Sequence, residues 1–209
     1  MTDWAAVYRA NVEAVCALAE TLHAEDLSRV VPATPDWTVH DLLAHLAGTP
    51  ADLLADRMDD APSPAWTARH VDERAARSVA DLVSELRGSV EPLVATLEGS
   101  DSPAPVWNLA VHHADLHEAL GKGAPPEQLW RPVLEAIAPR MLGESADAVG
   151  EVPDYELFRA FFSRRSRTQM LGWDTPLDSA VLDGLCIFGP RDDDQPVPSQ
   201  DAQTRRSRG

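Results

Sequence analysis

Apolar residues recur along most of the chain at intervals of three and four positions, the spacing of one face of an amphipathic helix. The long helices that this pattern predicts lie at about residues 4–22, 38–48, 71–97 and 106–121. The shorter helical segments lie at about 129–145, 155–173 and 176–188. No alternating apolar run indicates a pair of strands. The chain is therefore predicted to be all-α, a four-helix bundle with additional C-terminal helices.

Local signals refine the second of these helices. Thr38, followed three residues later by Asp41, predicts a capping box at its start. Gly48 and Pro50 predict that the helix breaks there, with a short continuation over residues 50–60.

The C-terminal end of the chain differs in kind from the rest. Residues 190–209 contain almost no apolar side chains and are predicted to be disordered. The sequence thus predicts one helical domain over residues 1–189 and a tail over 190–209. The tail holds four acidic residues and four arginines, so the predicted domain carries the whole net charge of −16.

This negative charge argues against some classes of binding partner. Lysine and arginine number 18 against 34 aspartates and glutamates. Such an acidic excess argues against a protein that grips nucleic acid phosphates or an anionic membrane surface. No apolar run reaches the length of a membrane span, and the polar N-terminal segment is unlike a secretory signal. The two cysteines, Cys16 and Cys186, form no disulfide framework, so a reducing cytoplasm is predicted.

Histidines on two of the predicted helices are the candidates for chemistry. His45 interrupts an apolar stretch, and Asp41 lies one turn earlier, where it could orient the imidazole ring. A buried histidine with a single hydrogen bond is the alternative interpretation. On the fourth helix, Asn108 and His112 are four residues apart, the spacing by which a helix presents two ligands to one metal. Asp115 follows, either as an acceptor for His112 or as a solvated charge.

Several segments resemble one family. PDWTVHDLLAHLAG is similar to the signature helix of the DinB/YfiT-like superfamily, and more closely to the N-terminal metal-binding domain of mycothiol-dependent maleylpyruvate isomerases, an actinobacterial group. VWNLAVHHADLHEALG resembles the second metal helix of that group. YELFRAFFSRRSRTQ resembles a block of its short members, which usually have glycine where this chain has Ser163, and FGPR a common end of their ordered part. The resemblance covers most of residues 1–191.

The resemblance implies a DinB-like bundle with a metal site. His45 would be the first ligand and His112 the last, while Asn108 occupies the place where the family has a glutamate, aspartate or histidine. A neutral amide oxygen is a weaker ligand than these. The implied cofactors are a divalent metal, zinc first with nickel or iron as alternatives, and mycothiol as the thiol cosubstrate.

Two functions are open at this point. The first is a metal-dependent, mycothiol-dependent isomerase or S-transferase that acts on a small electrophilic metabolite. The second is a non-catalytic binding or regulatory module that has lost tight metal binding, which Asn108 favours. Pairing of two bundles into a homodimer is also left open.

A basic cluster interrupts the acidic body of the chain. Arg164, Arg165 and Arg167 could anchor a carboxylate or phosphate of a small-molecule substrate. Alternatively, they could pair with acidic residues of the body and interact favourably with the C-terminal end of a helix.

Overall fold

A computed structural model describes residues 2–97, 99 and 104–198 of the chain. The chain divides into two compact units, Met1–Gly121 and Lys122–Gly209. The sequence-based boundaries, one domain over residues 1–189 and a tail over 190–209, stay a prediction. Within the described ranges, no helix combines the length and the hydrophobicity that crossing a lipid bilayer would require.

The first unit is a helix bundle. Its described helices are α1 (Trp4–Ala19), α2 (Ala24–Leu27), α3 (Val39–Leu54), α4 (Pro64–Arg74), α5 (Val79–Gly88), α6 (Val90–Thr96) and α7 (Ala104–Ala119). Helix α1 packs against α5 and α7, and α3 packs against the same two helices, so these four close into a ring. Its core is formed by buried apolar residues such as Val12, Val15, Leu42, Leu46, Leu82, Val106 and Leu116. The all-α, DinB-like four-helix fold is confirmed.

A small antiparallel sheet precedes α3, which the sequence did not predict. Strand β1 (Val30–Val31) pairs with strand β2 (Thr34–Thr38), with Val31 opposite Thr34. Val31 is buried whereas Val30 is 55% exposed. Strand β1 has only two residues, and the burial of the five residues of β2 does not alternate, so neither strand gives the pattern that predicts one.

Helix α3 carries the first part of the candidate site. Its capping box is confirmed, because the Thr38 hydroxyl accepts a hydrogen bond from the Asp41 amide at 3.2 Å and Asp41 accepts one from the Thr38 amide at 2.9 Å. The predicted break at Gly48 and Pro50 is wrong, since the helix continues to Leu54. Proline removes one backbone donor, but residues 42–50 are buried throughout, and tertiary packing outweighs the local loss.

The predicted long helix over residues 71–97 is wrong in its boundaries. The structure has α4, α5 and α6 in place of one rod. Ser63 caps α4 by accepting a hydrogen bond from the Trp66 amide at 3.2 Å. Ser78 and Asp81 form a capping box that starts α5. Ser78 lies inside the predicted helix and offers the backbone an alternative to continuing it, so the apolar stripe runs over separate elements.

The second unit is also helical. Its described elements are α8 (Glu127–Leu142), a 3₁₀ helix (Gly143–Val149), α9 (Asp154–Phe161), α10 (Arg167–Leu171) and α11 (Ser179–Gly184). The single helix predicted over residues 155–173 is divided into α9 and α10. Ser163 lies between them with φ of 59°, in the left-handed region that favours glycine. Its hydroxyl accepts a hydrogen bond from the Phe188 amide at 3.1 Å.

The predicted tail begins with residues that make defined contacts in this unit. The amide of Arg167 donates to the carbonyl of Arg191 at 2.8 Å. Gln195 is buried, and its amide donates to Oε1 of Gln169 at 3.1 Å. Hydrogen bonds thus connect Arg191 and Gln195 to α10, while disorder over residues 190–209 stays a prediction. Residues 199–209 lie outside the described residues.

Candidate metal centre

The three residues expected to bind metal come together between neighbouring helices of the bundle. His45 lies on α3, and Asn108 and His112 lie one turn apart on α7. Nε2 of His45 is 3.4 Å from Oδ1 of Asn108. The ring centroids of His45 and His112 are 5.1 Å apart, with the ring planes at 80°. Both histidines are buried.

His112 is oriented from its own helix. Its Nδ1 lies 2.9 Å from Oδ2 of Asp115, which is fully buried one turn later on α7. An ionised carboxylate only accepts hydrogen bonds, so Nδ1 of His112 donates. In its neutral form the ring then carries its lone pair on Nε2, the arrangement in which a carboxylate fixes the tautomer of a metal-binding histidine. This contact confirms the acceptor interpretation of Asp115.

A third histidine adjoins His45, which sequence reasoning did not single out. Nδ1 of His70, on α4, lies 3.1 Å from Nδ1 of His45, and its Nε2 lies 2.9 Å from Oδ2 of Asp52. The side chains of His70 and Asp52 are both fully buried. Asp41, expected to orient His45, instead accepts hydrogen bonds from the amide and hydroxyl of Thr38.

Two arginines hold the buried carboxylate of Asp52. Arg57 forms an ion pair with its Oδ1 at 2.5 Å, and Arg69 forms a second one with its Oδ2. Burial raises the pKa of Asp52, but the hydrogen bonds from Arg69 and His70 outweigh this, and the net pKa lies below the usual range. Burial lowers the pKa of His70 more than the hydrogen bond and charge of Asp52 raise it, so its net pKa lies below the usual range.

Aromatic side chains surround the histidines. The ring centroid of Trp37 lies 5.0 Å from that of His45 and 6.4 Å from that of His112. The ring of Trp66 lies 4.2 Å from that of His70 and 5.9 Å from that of His45. Bulky rings around a polar site exclude water and strengthen the electrostatic interactions inside it.

The donor set fits a divalent metal by its chemistry. Imidazole nitrogens suit zinc, nickel and iron, and an amide oxygen adds a harder, weaker ligand. Among the described residues, no group of three or more His, Cys, Asp or Glu side chains has the geometry to hold a metal ion. A metal held by His45, Asn108 and His112 would therefore bind without an anionic protein ligand.

The arginine cluster lies in the second unit and contacts acidic groups and a backbone carbonyl there. Arg165 is fully buried, and its Nε lies 2.5 Å from Oε2 of Glu156. Arg167 forms ion pairs with Asp183 at 2.9 Å and Asp192 at 2.8 Å. Arg164 donates to a backbone carbonyl, that of Phe162, at 2.7 Å. Anion binding by these three arginines stays a prediction.

The helix bundle of the first unit, with its small two-stranded sheet, is an all-α bundle of the DinB-like class. Residues 8–124 match the family described as the mycothiol maleylpyruvate isomerase N-terminal domain. This match spans more than half of the chain and includes every residue of the candidate centre, so the chain belongs to this family. No protein of curated function and no solved structure is similar enough to count as a match.

Proposed function

We propose that the chain is a metal-dependent enzyme that uses mycothiol as a thiol cosubstrate. It would act on a small electrophilic metabolite, either as an isomerase or as an S-transferase that joins the thiol to the substrate in place of a leaving group. The observation that carries this proposal is the approach of His45, Asn108 and His112 within the family's own domain. Nε2 of His45 and Oδ1 of Asn108 face each other at 3.4 Å. In the tautomer of His45 that carries its lone pair on Nε2, both atoms are acceptors, and a shared cation would satisfy both.

The residues of the site have two roles: some would bind the metal, and others would exclude water. His45 and His112 would hold the metal, with Asn108 as a weak third ligand or a contact to substrate. A bound divalent metal would favour the thiolate form of a coordinated thiol, which is the nucleophilic form. Trp37 and Trp66 would keep bulk water away from that thiolate. The net charge of −16 supports a small-molecule substrate and disfavours nucleic acid and membranes. We place the reaction in the cytoplasm, where the cysteines stay reduced.

A second candidate is a non-catalytic binding or regulatory module, and the same contact supports it. A proton on Nε2 of His45 would let the ring donate to Oδ1 of Asn108 and close the site without metal. The absence of an anionic residue at position 108 favours this alternative. The two functions therefore differ in which nitrogen of His45 carries the proton.

Metal content separates the two candidates. Protein purified without a histidine tag or chelator is expected to contain zinc, nickel or iron at close to one ion per chain by elemental analysis. His45→Ala and His112→Ala should each lower the affinity for zinc at least ~10-fold, because each removes one imidazole ligand. His40→Ala is the matched control, since His40 lies on the same helix and contacts the Arg77 carbonyl instead.

The opposite result is as informative. Protein that holds no metal even after reconstitution with zinc, nickel and ferrous iron would overturn the enzyme proposal and favour the module. If metal binds, adding mycothiol to the cobalt-substituted protein should produce a sulfur-to-cobalt charge-transfer band. A spectrum unchanged by mycothiol would show that the thiol does not reach the metal.

A further inference from the structure

One face of α3 and one residue of α4 form a hydrogen-bonded chain behind His45. His45, Gly48 and Asp52 are at positions i, i+3 and i+7 of α3 and so share a face. His70 lies across this face, with one ring nitrogen on His45 and the other on Asp52. The ring lies so close to the helix that a Cβ at position 48 would be 2.5 Å from Cγ of His70. Glycine is what allows the ring to reach both partners.

The chemistry of the groups sets the direction of each hydrogen bond. The carboxylate of Asp52 only accepts, so Nε2 of His70 donates to it at 2.9 Å. The ring of His70 is fully buried, and Arg57 and Arg69 already pair with the same carboxylate, so a further positive charge on the ring is disfavoured and its Nδ1 is the acceptor. Nδ1 of His45, 3.1 Å away, must therefore donate to it. The lone pair of the His45 ring is left on Nε2, the nitrogen that faces Asn108.

The carboxylate at the end of this chain is held in its ionised form. Its two oxygens pair with Arg57 and Arg69, and its side chain is fully buried. A protonated Asp52 would leave both guanidinium groups beside a neutral acid, which the ion pairs oppose. Asp52 therefore acts only as an acceptor, which sets the direction of the hydrogen bonds from His70 and His45.

We propose that Asp52 and His70 are positioning residues that set the tautomer and orientation of His45, so that its Nε2 is the metal-binding nitrogen. This inference rests on the proposed function for the role of the metal, whereas the tautomer of His45 is a property of the metal-free protein. His112 reaches its carboxylate directly, one turn away on α7. His45 has its carboxylate two turns away on the same helix and reaches it through His70.

Two-bond ¹H–¹⁵N correlation spectra of the metal-free full chain test the proposal directly. In the unaltered protein, His45 is expected as the Nδ1–H tautomer. His70→Leu removes the acceptor, and His45 should then shift towards the Nε2–H tautomer, the form that hydrogen-bonds to Asn108. His70→Asn is the matched variant, because its amide oxygen lies near the position of Nδ1 and can still accept. It should restore the Nδ1–H tautomer.

Metal titration supplies the second measurement. By isothermal calorimetry with zinc, His70→Leu should bind about 10- to 100-fold more weakly than the unaltered chain, with most of the loss recovered in His70→Asn. Circular dichroism checks that each variant is folded. If His70→Leu does not fold, His70→Gln replaces it, because its longer amide keeps the contact to Asp52 but not the acceptor beside His45.

The outcomes separate this inference from the proposed function. An Nδ1–H tautomer of His45 that persists without an acceptor at position 70 would overturn the proposal that Asp52 and His70 set this tautomer. A tautomer shift with unchanged zinc affinity would overturn its role in metal binding. If the tautomer shifts but neither the unaltered chain nor its variants bind metal, the positioning role of Asp52 and His70 is supported and the metal-dependent function is overturned.

Discussion

Replacing Glu156 with glutamine is expected to lower the free energy of unfolding by about 3–5 kcal/mol, the cost of breaking a buried ion pair from one side. Arg165 is fully buried, and its guanidinium contacts both carboxylate oxygens of Glu156 at 2.5 and 2.9 Å. Glutamine has the volume of glutamate but not its charge. The variant therefore removes the charge of one carboxylate partner from a buried guanidinium, and urea unfolding followed by circular dichroism measures the loss.

Glu127→Gln is the control for this measurement. Glu127 pairs with Arg131 one turn away on α8, but the two side chains are 60% and 33% exposed. Exposed pairs of this kind contribute less than about 1 kcal/mol. Equal effects of the two substitutions would show that burial does not set the strength of the Arg165 pair. Both measurements are made on chelator-treated protein, so that metal binding does not add to the stability.

Replacing Asn108 with aspartate is expected to tighten zinc binding by about 100-fold, or ~2.7 kcal/mol. The substitution keeps the position of the ligand oxygen and adds a negative charge beside a divalent cation in a site enclosed by tryptophan rings. It also supplies a carboxylate at the position where the resemblance places an ionisable ligand. Competition with a chromophoric chelator measures the affinity.

Gln128→Glu controls for the added charge, since Gln128 is exposed and lies outside residues 8–124, which match the family. It should leave the affinity for zinc unchanged. If Asn108→Asp binds zinc no more tightly than the unaltered chain, position 108 is not a ligand. The proposed centre would then consist of His45 and His112 alone.

The helical fold could be predicted from the sequence because the signals for it are local. Apolar spacing identified the bundle helices, and Thr38 with Asp41 located the start of α3. The errors fall where burial overrides a local signal or a serine adds one. Pro50 lies inside α3 because packing on both sides of it outweighs one missing donor. Ser78 starts a new helix inside a regular apolar stripe.

The candidate centre could be predicted in part for a related reason. Asn108 and His112 are one turn apart on one helix, and the resemblance added His45. His70 belongs to another helix, and its contacts depend on how α3 and α4 pack, which the spacing of residues along the chain does not encode. A signal did exist in the spacing of His45, Gly48 and Asp52, which describes a helix face with a gap between two polar groups.

The contact between Gly48 and His70 also limits which residues can occupy the two positions together. A side chain at position 48 would collide with the ring at position 70, so a residue larger than glycine fits at 48 only if the residue at 70 shrinks or moves. Such a change would give up the contact to His45. In relatives that keep this contact, we therefore expect glycine at 48 to occur together with histidine at 70.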